Sequence, residues 1–383
     1  MFRPVAVALS VTLLLLIGGA ACGTGETVFR IYLSATGSDA EDGLRPKEAV
    51  RTLARVQEVL RAHSPHTDVE IRIKRGVYVA PQTTWDFYIP GRSISFLPAD
   101  YQYGEAASGI VGRPIFRGDG SRGWWLRAQL PAGHRGGDTG LRFYYLQVER
   151  YSSGGLIIHG GITTNRLGLR VPATAGANRN TIYGMLFQQL GSKHADAGFG
   201  FGGVDLVNSS RNVIRNNHFR YHENIGADAS LIHGVYLAHG SKRNRVTANR
   251  FDFISGSLVR TRNDSNGNHI YANTFEGAGP VSHYAEWFCD APCVRSNPGH
   301  PRECASHNNH FHHNTILGFR GVEVSLWTLQ PPGPDYAGGR GCDNEGEKRL
   351  RTYANSVIVR GPASAPLGLR RWASRTKPDR LGT

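Results

Sequence analysis

A short motif recurs along the second half of the chain: asparagine, one residue, an apolar residue, two residues, then a second asparagine and a second apolar residue. It reads Asn212-Ile214-Asn217-Phe219, Asn244-Val246-Asn249-Phe251, Asn268-Ile270-Asn273-Phe275 and Asn309-Phe311-Asn314-Ile316, with a degenerate copy at Asn180-Ile182-Met185-Phe187. The first asparagines are 32, 32, 24 and 41 residues apart, one bare turn of 24 with insertions in the others. Self-similarity at such a period marks stacked supersecondary units. Each copy holds two short strands of alternating polarity joined by a bend. Asparagine tolerates left-handed backbone, so it suits that bend, and stacked copies can bond to one another as a ladder. These features predict coils of a parallel β-solenoid with strands roughly 4.8 Å apart. Four copies in register disfavour an antiparallel sandwich.

Composition narrows the setting. A hydrophobic content of 40% over 383 residues is enough for a sizeable core, and 48 glycines with 19 prolines make the chain turn-rich without making it low-complexity. The net charge of +14 bears on partners rather than fold. Residues 1–22 read as a secretory signal peptide: Arg3, the apolar run Val5 to Ile17, then Gly18-Gly19-Ala20-Ala21 before Cys22. Gly19-Ala20-Ala21-Cys22 resembles a bacterial lipobox, with Gly19 where an aliphatic residue is usual, so Cys22 is the expected lipidation site and the membrane contact runs only through that anchor. Export to the exterior or the cell surface makes nucleic acid an unexpected partner. It also makes disulfides the expected state of Cys289, Cys293, Cys304 and Cys342, in one of three connectivities. Zinc held by these with His283, His300 or His307 is the alternative.

The N-terminal block Ile31-Tyr32-Leu33-Ser34, Gly37-Ser38-Asp39, Asp42-Gly43, Pro46 and Thr52-Leu53, together with the asparagine repeats, resembles the right-handed parallel β-helix superfamily of pectate-lyase-like proteins. The resemblance implies an all-β, right-handed parallel β-helix over residues 28–361, followed by a basic tail at 362–383. Helical character from about Pro46 to His63, with Val50, Leu53, Val56, Val59 and Leu60 on one face, predicts a short N-terminal α-helical cap. The superfamily hosts lyases, hydrolases and non-catalytic adhesins, so fold does not choose among them.

Strand alternation turns spacing into geometry. Val204, Val235 and Val259 are expected inward, and Asp205, Tyr236 and Arg260 outward, in one column that Glu286 and Glu323 extend. Arg262 lies in the column beside it, His239 and Asn263 follow, and His233 and Trp287 border the set. This pattern is the expected groove. Arginines suit the carboxylate of an anionic polysaccharide, Tyr236, His233 or His239 could transfer the protons of a β-elimination, and Glu286 with Glu323 is the hydrolase alternative. Asp205, Asn263, Trp287 and Glu323 are the expected substrate contacts. In some β-helix lyases a Lys-Ser-x-x-Asn segment supplies the base; here Asp264-Ser265-Asn266-Gly267-Asn268 has an aspartate in the lysine's place. No cofactor is fixed by a motif, though calcium on Asp264 with Asp205 or Glu286 is an option. A monomer is expected.

Overall fold

The computed structural model describes residues 28–103, 112–195, 197–278, 282–289, 291–318, 326–327, 342 and 357–360. The leader, Cys22, Glu323 and the basic tail lie outside them. The described chain is a parallel β-helix. Three sheets of nine, nine and eight strands run along it, and consecutive strands of each sheet pair in parallel with the next coil. Sheet 1 begins at Phe29–Leu33 and runs through Leu141–Tyr144, Thr181–Tyr183, Val213–Arg215, Arg245–Thr247 and His269–Tyr271 to His310–His312. Sheet 2 includes Gln147–Glu149, Leu186–Leu190, His218–His222, Arg250–Ile254 and Thr274–Ala278. Sheet 3 includes Trp124–Gln129, Gly154–His159, Gly202–Val207, His233–Ala238, Val259–Arg262 and Tyr284–Trp287.

The asparagines form two buried ladders, one at each end of the sheet 1 strands. Asn212 Oδ1 accepts from both the backbone and the side chain of Asn180, at 2.8 and 2.9 Å, and the same double bond repeats upward through Asn244, Asn268 and Asn309. The second ladder runs through Asn217, Asn249, Asn273 and Asn314. Met185 closes its lower end: its N–H donates to Asn217, and its sulfur accepts from the N–H of Leu146. The left-handed residues at these corners are not the ladder asparagines but the residues before them, among them Arg211, Arg243, Asn216 and Ala248. The asparagine side chain is thereby aimed along the solenoid axis, where it satisfies buried polar groups that nothing else reaches.

Inside, Phe187, Phe219, Phe251, Phe275 and Phe311 stack with ring centroids 4.9 to 5.6 Å apart. Glycines of sheet 3 give this stack its room: a Cβ on Gly155, Gly203 or Gly234 would lie 2.6 Å from a ring atom of Phe187, Phe219 or Phe251. At the N-terminal end a helix spans Leu53–His63, later than the sequence suggests. Asp39 accepts from the N–H groups of Arg51 and Thr52, and Thr52 caps the helix by accepting from Arg55 N–H. Val50 instead makes a β-bridge with Leu33. Leu53, Val56, Val59 and Leu60 face the core, and Gln57 bonds the backbone of Thr84 and Asp86 beside the end strand Thr83–Trp85 of sheet 3.

Candidate functional site

The outer face of sheet 3 carries the columns expected from the sequence. Ile157, Asp205, Tyr236 and Arg260 are stacked partners, and beside them run His159, Val207, Ala238 and Arg262. The column does not continue to Glu286. Arg260 pairs with Ala285, and Glu286 pairs with Thr261, one position over and facing the core. Tyr284 takes the inward place expected for Ala285, because the lumen of this coil is polar: Thr261 hydrogen-bonds the Tyr284 hydroxyl at 2.7 Å and donates to Glu286. Trp287 returns outward, above Arg262.

Outward does not mean exposed here. A hairpin of Ile162–Thr164 and Arg170–Pro172 rises from the coil below. It is tied to the loop between Cys289 and Cys304, with Arg170 N–H bonded to Arg302 O at 2.9 Å. Cys289 is joined to Cys293 and Cys304 to Cys342. Asp205, Tyr236, His233, His239 and Asn263 are all buried, Tyr236 retaining 9% exposure.

Glu303, from the disulfide-bracketed loop, organises the cluster. It receives Arg262 through two bonds of 2.7 and 2.8 Å and the Cys289 N–H at 3.0 Å, with Arg170 and His239 each 3.7 Å away. Sequence reading missed it because it lies outside any strand register. The free nitrogen of the Arg262 fork donates to the Tyr236 hydroxyl at 3.1 Å, and its guanidinium lies 4.3 Å from the centre of the Trp287 ring. Burial lowers the Arg262 pKa, but Tyr236 and Glu303 outweigh it and hold the cation firmly charged. Arg260 is different: it bonds His233 Nε2 at 3.2 Å, its buried Nε has no partner, and among the described residues no carboxylate lies within salt-bridge distance. Burial lowers its pKa.

Both histidines are already committed. His233 gives its Nδ1 proton to Ser257 O at 3.0 Å and accepts from Arg260 at Nε2. Asn263 donates to Arg170 O and accepts from Cys304 N–H, which fixes its amide and turns an N–H toward His239 Nδ1 at 3.1 Å. His239 therefore carries its proton on Nε2. Burial first, then neighbouring arginines, push both imidazoles well below their usual pKa and keep them neutral. Asp205 sits between Ile157 and Tyr236 with an unpartnered Oδ1, and burial raises its pKa well above the carboxylate range. Glycine at 202 leaves that carboxyl its place, since a Cβ there would lie 2.2 Å from Oδ1.

Asp264 is paired with Lys242 at 2.6 Å rather than with Asp205 or Glu286. Among the described residues no three His, Cys, Asp or Glu side chains are grouped as a metal site. A cavity of about 430 Å³ adjoins the cluster, lined by Arg170, Val171, Pro172, Asn263, Asp264, Cys304 and Cys342.

The inward Glu286 has a measurable consequence. Burial pushes its carboxyl up to about 8, against the bonds from Thr261 and Ser306 that favour the charged form. Between the ordinary carboxyl pKa of about 4.3 and that value, the folded chain holds a proton that the unfolded chain has released. The contribution of Glu286 to stability must therefore fall as pH rises through this window. The buried neutral histidines act in the opposite sense, so the contribution is read as a difference: from pH 5 to pH 8, melting curves of the chain should lose stability relative to those of Glu286→Gln. An unchanged slope in the variant would place the titration elsewhere.

No protein-family model and no characterised protein matches the sequence. Among solved structures, the chain is similar to an alginate lyase from Paenibacillus sp. str. FPU-7, with 15% identity, a TM-score of 0.43 and coverage of 88% of this chain and 99% of that one. It is also similar to a rhamnogalacturonan lyase (12%, 0.39, 89% of each chain) and to the pectate lyase Pel9A (13%, 0.40, 78% and 68%).

Proposed function

We propose that the chain is an exported carbohydrate-active protein that acts on an acidic polysaccharide by β-elimination at the outer face of sheet 3. The observation that carries this reading is a charge imbalance. Arg170 and Arg262 share a single partner carboxylate, Glu303, Arg260 beside them has none within salt-bridge distance among the described residues, and burial drives Asp205 toward its neutral form. Such a site carries two more positive than negative charges. Arg260, with an unpartnered Nε and no carboxylate, is the group that would take the carboxylate of a uronate.

Elimination breaks the C5–H and C4–O bonds and forms a C4–C5 double bond, with one proton removed and one delivered to the leaving oxygen. Tyr236 is the group assigned to both transfers: its own proton, which has no acceptor among the described residues, goes to the leaving oxygen while its oxygen, already held by Arg262, takes the C5 proton, so the phenol ends as it began. His233 and His239 have both ring nitrogens committed or protonated and serve as positioning residues instead. The hydrolase reading loses one of its carboxylates, since Glu286 faces the lumen. Burial of Tyr236 favours a second reading, binding without turnover. Export rests on the leader at residues 1–22 and agrees with the two disulfides; the lipid anchor at Cys22 rests on sequence alone.

The purified chain should be incubated with acidic and neutral polysaccharides while ultraviolet absorbance of unsaturated uronate and reducing ends are both recorded. Elimination requires both signals, from acidic substrates only. Reducing ends without absorbance mean hydrolysis, and binding without either signal selects the second reading.

A further inference from the structure

We infer that the outer face of sheet 1 is a second, separate binding surface for a linear acidic polysaccharide. From Leu141–Tyr144 to His310–His312, the outward residues of its strands include Arg142, Arg215, Arg245, Tyr144, Tyr183 and Tyr271, and none of them is acidic. Histidines complete the later coils: His269 stacks on His310 at 4.7 Å, and Tyr271 on His312 at 5.2 Å. Arg211 and Arg243 stand exposed at the edge of the same sheet, held there by the left-handed backbone that precedes the ladder asparagines.

The neighbouring face supplies the contrast. On sheet 2, two of the outward arginines are paired with carboxylates, Arg117 with Glu149 at 2.7 Å and Arg250 with Asp252 and Glu276 at 3.1 and 2.6 Å, and a third, Arg220, is bonded to Gln188 at 2.6 Å. On sheet 1, among the described residues, Arg142, Arg211, Arg215, Arg243 and Arg245 have no carboxylate within salt-bridge distance, although Arg179 at the edge is paired with Asp138. An ordinary solvated face of this solenoid would look like sheet 2. The unpaired cations recur on coils roughly 4.8 Å apart, a pitch comparable to one sugar ring, and the interleaved aromatic faces offer a floor for sugar C–H surfaces. Nucleic acid would also suit cations and aromatics. The two disulfides place the chain in an oxidising compartment and favour the polysaccharide.

This surface stands without the chemistry proposed for sheet 3, because retention is read without reference to product. Full-length protein should be run through gels containing polygalacturonate, its methyl-esterified form, or single-stranded DNA, at several salt concentrations. Polygalacturonate should retard it strongly and salt should weaken the effect. A variant carrying Arg211→Gln, Arg215→Gln, Arg243→Gln and Arg245→Gln should lose about tenfold or more in affinity and much of the salt dependence. Arg117→Gln with Arg250→Gln on sheet 2 should change little. Equal retardation by the esterified polymer, undiminished binding by the sheet 1 variant, or tighter binding to DNA would each overturn the assignment. Any turnover should survive in the sheet 1 variant at saturating substrate.

Discussion

Replacing Glu303 by alanine should cost about 3–5 kcal/mol of folding stability, the expected result of removing one member of a buried ion pair. The side chain is fully buried and receives both arms of the Arg262 fork. Without it, Arg262 keeps its charge in a walled site with only Tyr236 and the Trp287 face as partners. The Cys289 N–H loses its acceptor, and Arg170 loses the nearest carboxylate. The loss should appear as a lower urea midpoint at unchanged m-value. Glu303→Gln, which keeps the shape and one acceptor, should cost less than alanine. A loss in the alanine variant no larger than that of an exposed pair, about 0–1 kcal/mol, would mean that water fills the site and Glu303 does not organise it.

Tyr236→Phe should lower turnover by about 10²–10⁴ if the phenol transfers a proton. The ring stays between Asp205 and Arg260, so the packing of the column is kept. What is removed is the oxygen that accepts from Arg262, and an unsatisfied buried donor costs about 1–3 kcal/mol. Stability and turnover must therefore be measured separately, at a temperature where the variant is folded. Full activity in a folded variant would remove Tyr236 from the mechanism and leave it a structural ring.

The sequence made the coil legible because its corners are chemically specific. Only a residue with both a donor and an acceptor on a short side chain can bond backbone and side chain of the next rung at once, so the asparagines were forced into register. The Asp205, Tyr236 and Arg260 column followed from that register. Glu286 was misplaced because apolar-inward is the wrong rule for a lumen that holds a hydroxyl and a carboxyl; by that rule Ala285 outranks Tyr284. Glu303 was invisible for another reason. Nothing periodic governs a loop whose position is set by disulfides and by a hairpin more than a hundred residues earlier in the chain. The insertion from Cys289 to Cys304 reads from the sequence as a rigid wall, but the burial of the columns was hidden, since alternation reports which side of a strand a residue leaves from and not what lies above it.

The asparagine ladders also separate two quantities that most folds tie together. At the corner between sheets 1 and 2, from Tyr183 to Thr315, each turn is a two-residue step locked to its neighbours above and below. Between sheets 2 and 3 the length is free to vary: the connection from Leu190 to Gly202 is long, that from His222 to His233 is long, and that from Ile254 to Val259 is short, yet the strands on either side remain in step. Between sheets 3 and 1 the length varies too, and there the hairpin and the loop from Cys289 to Cys304 leave the coil, so the solenoid behaves as a rack of fixed pitch with two open edges. Length added at those edges raises or lowers the walls around sheet 3 without moving the teeth, so the size of the chamber and the chemistry of its floor are free to change one at a time.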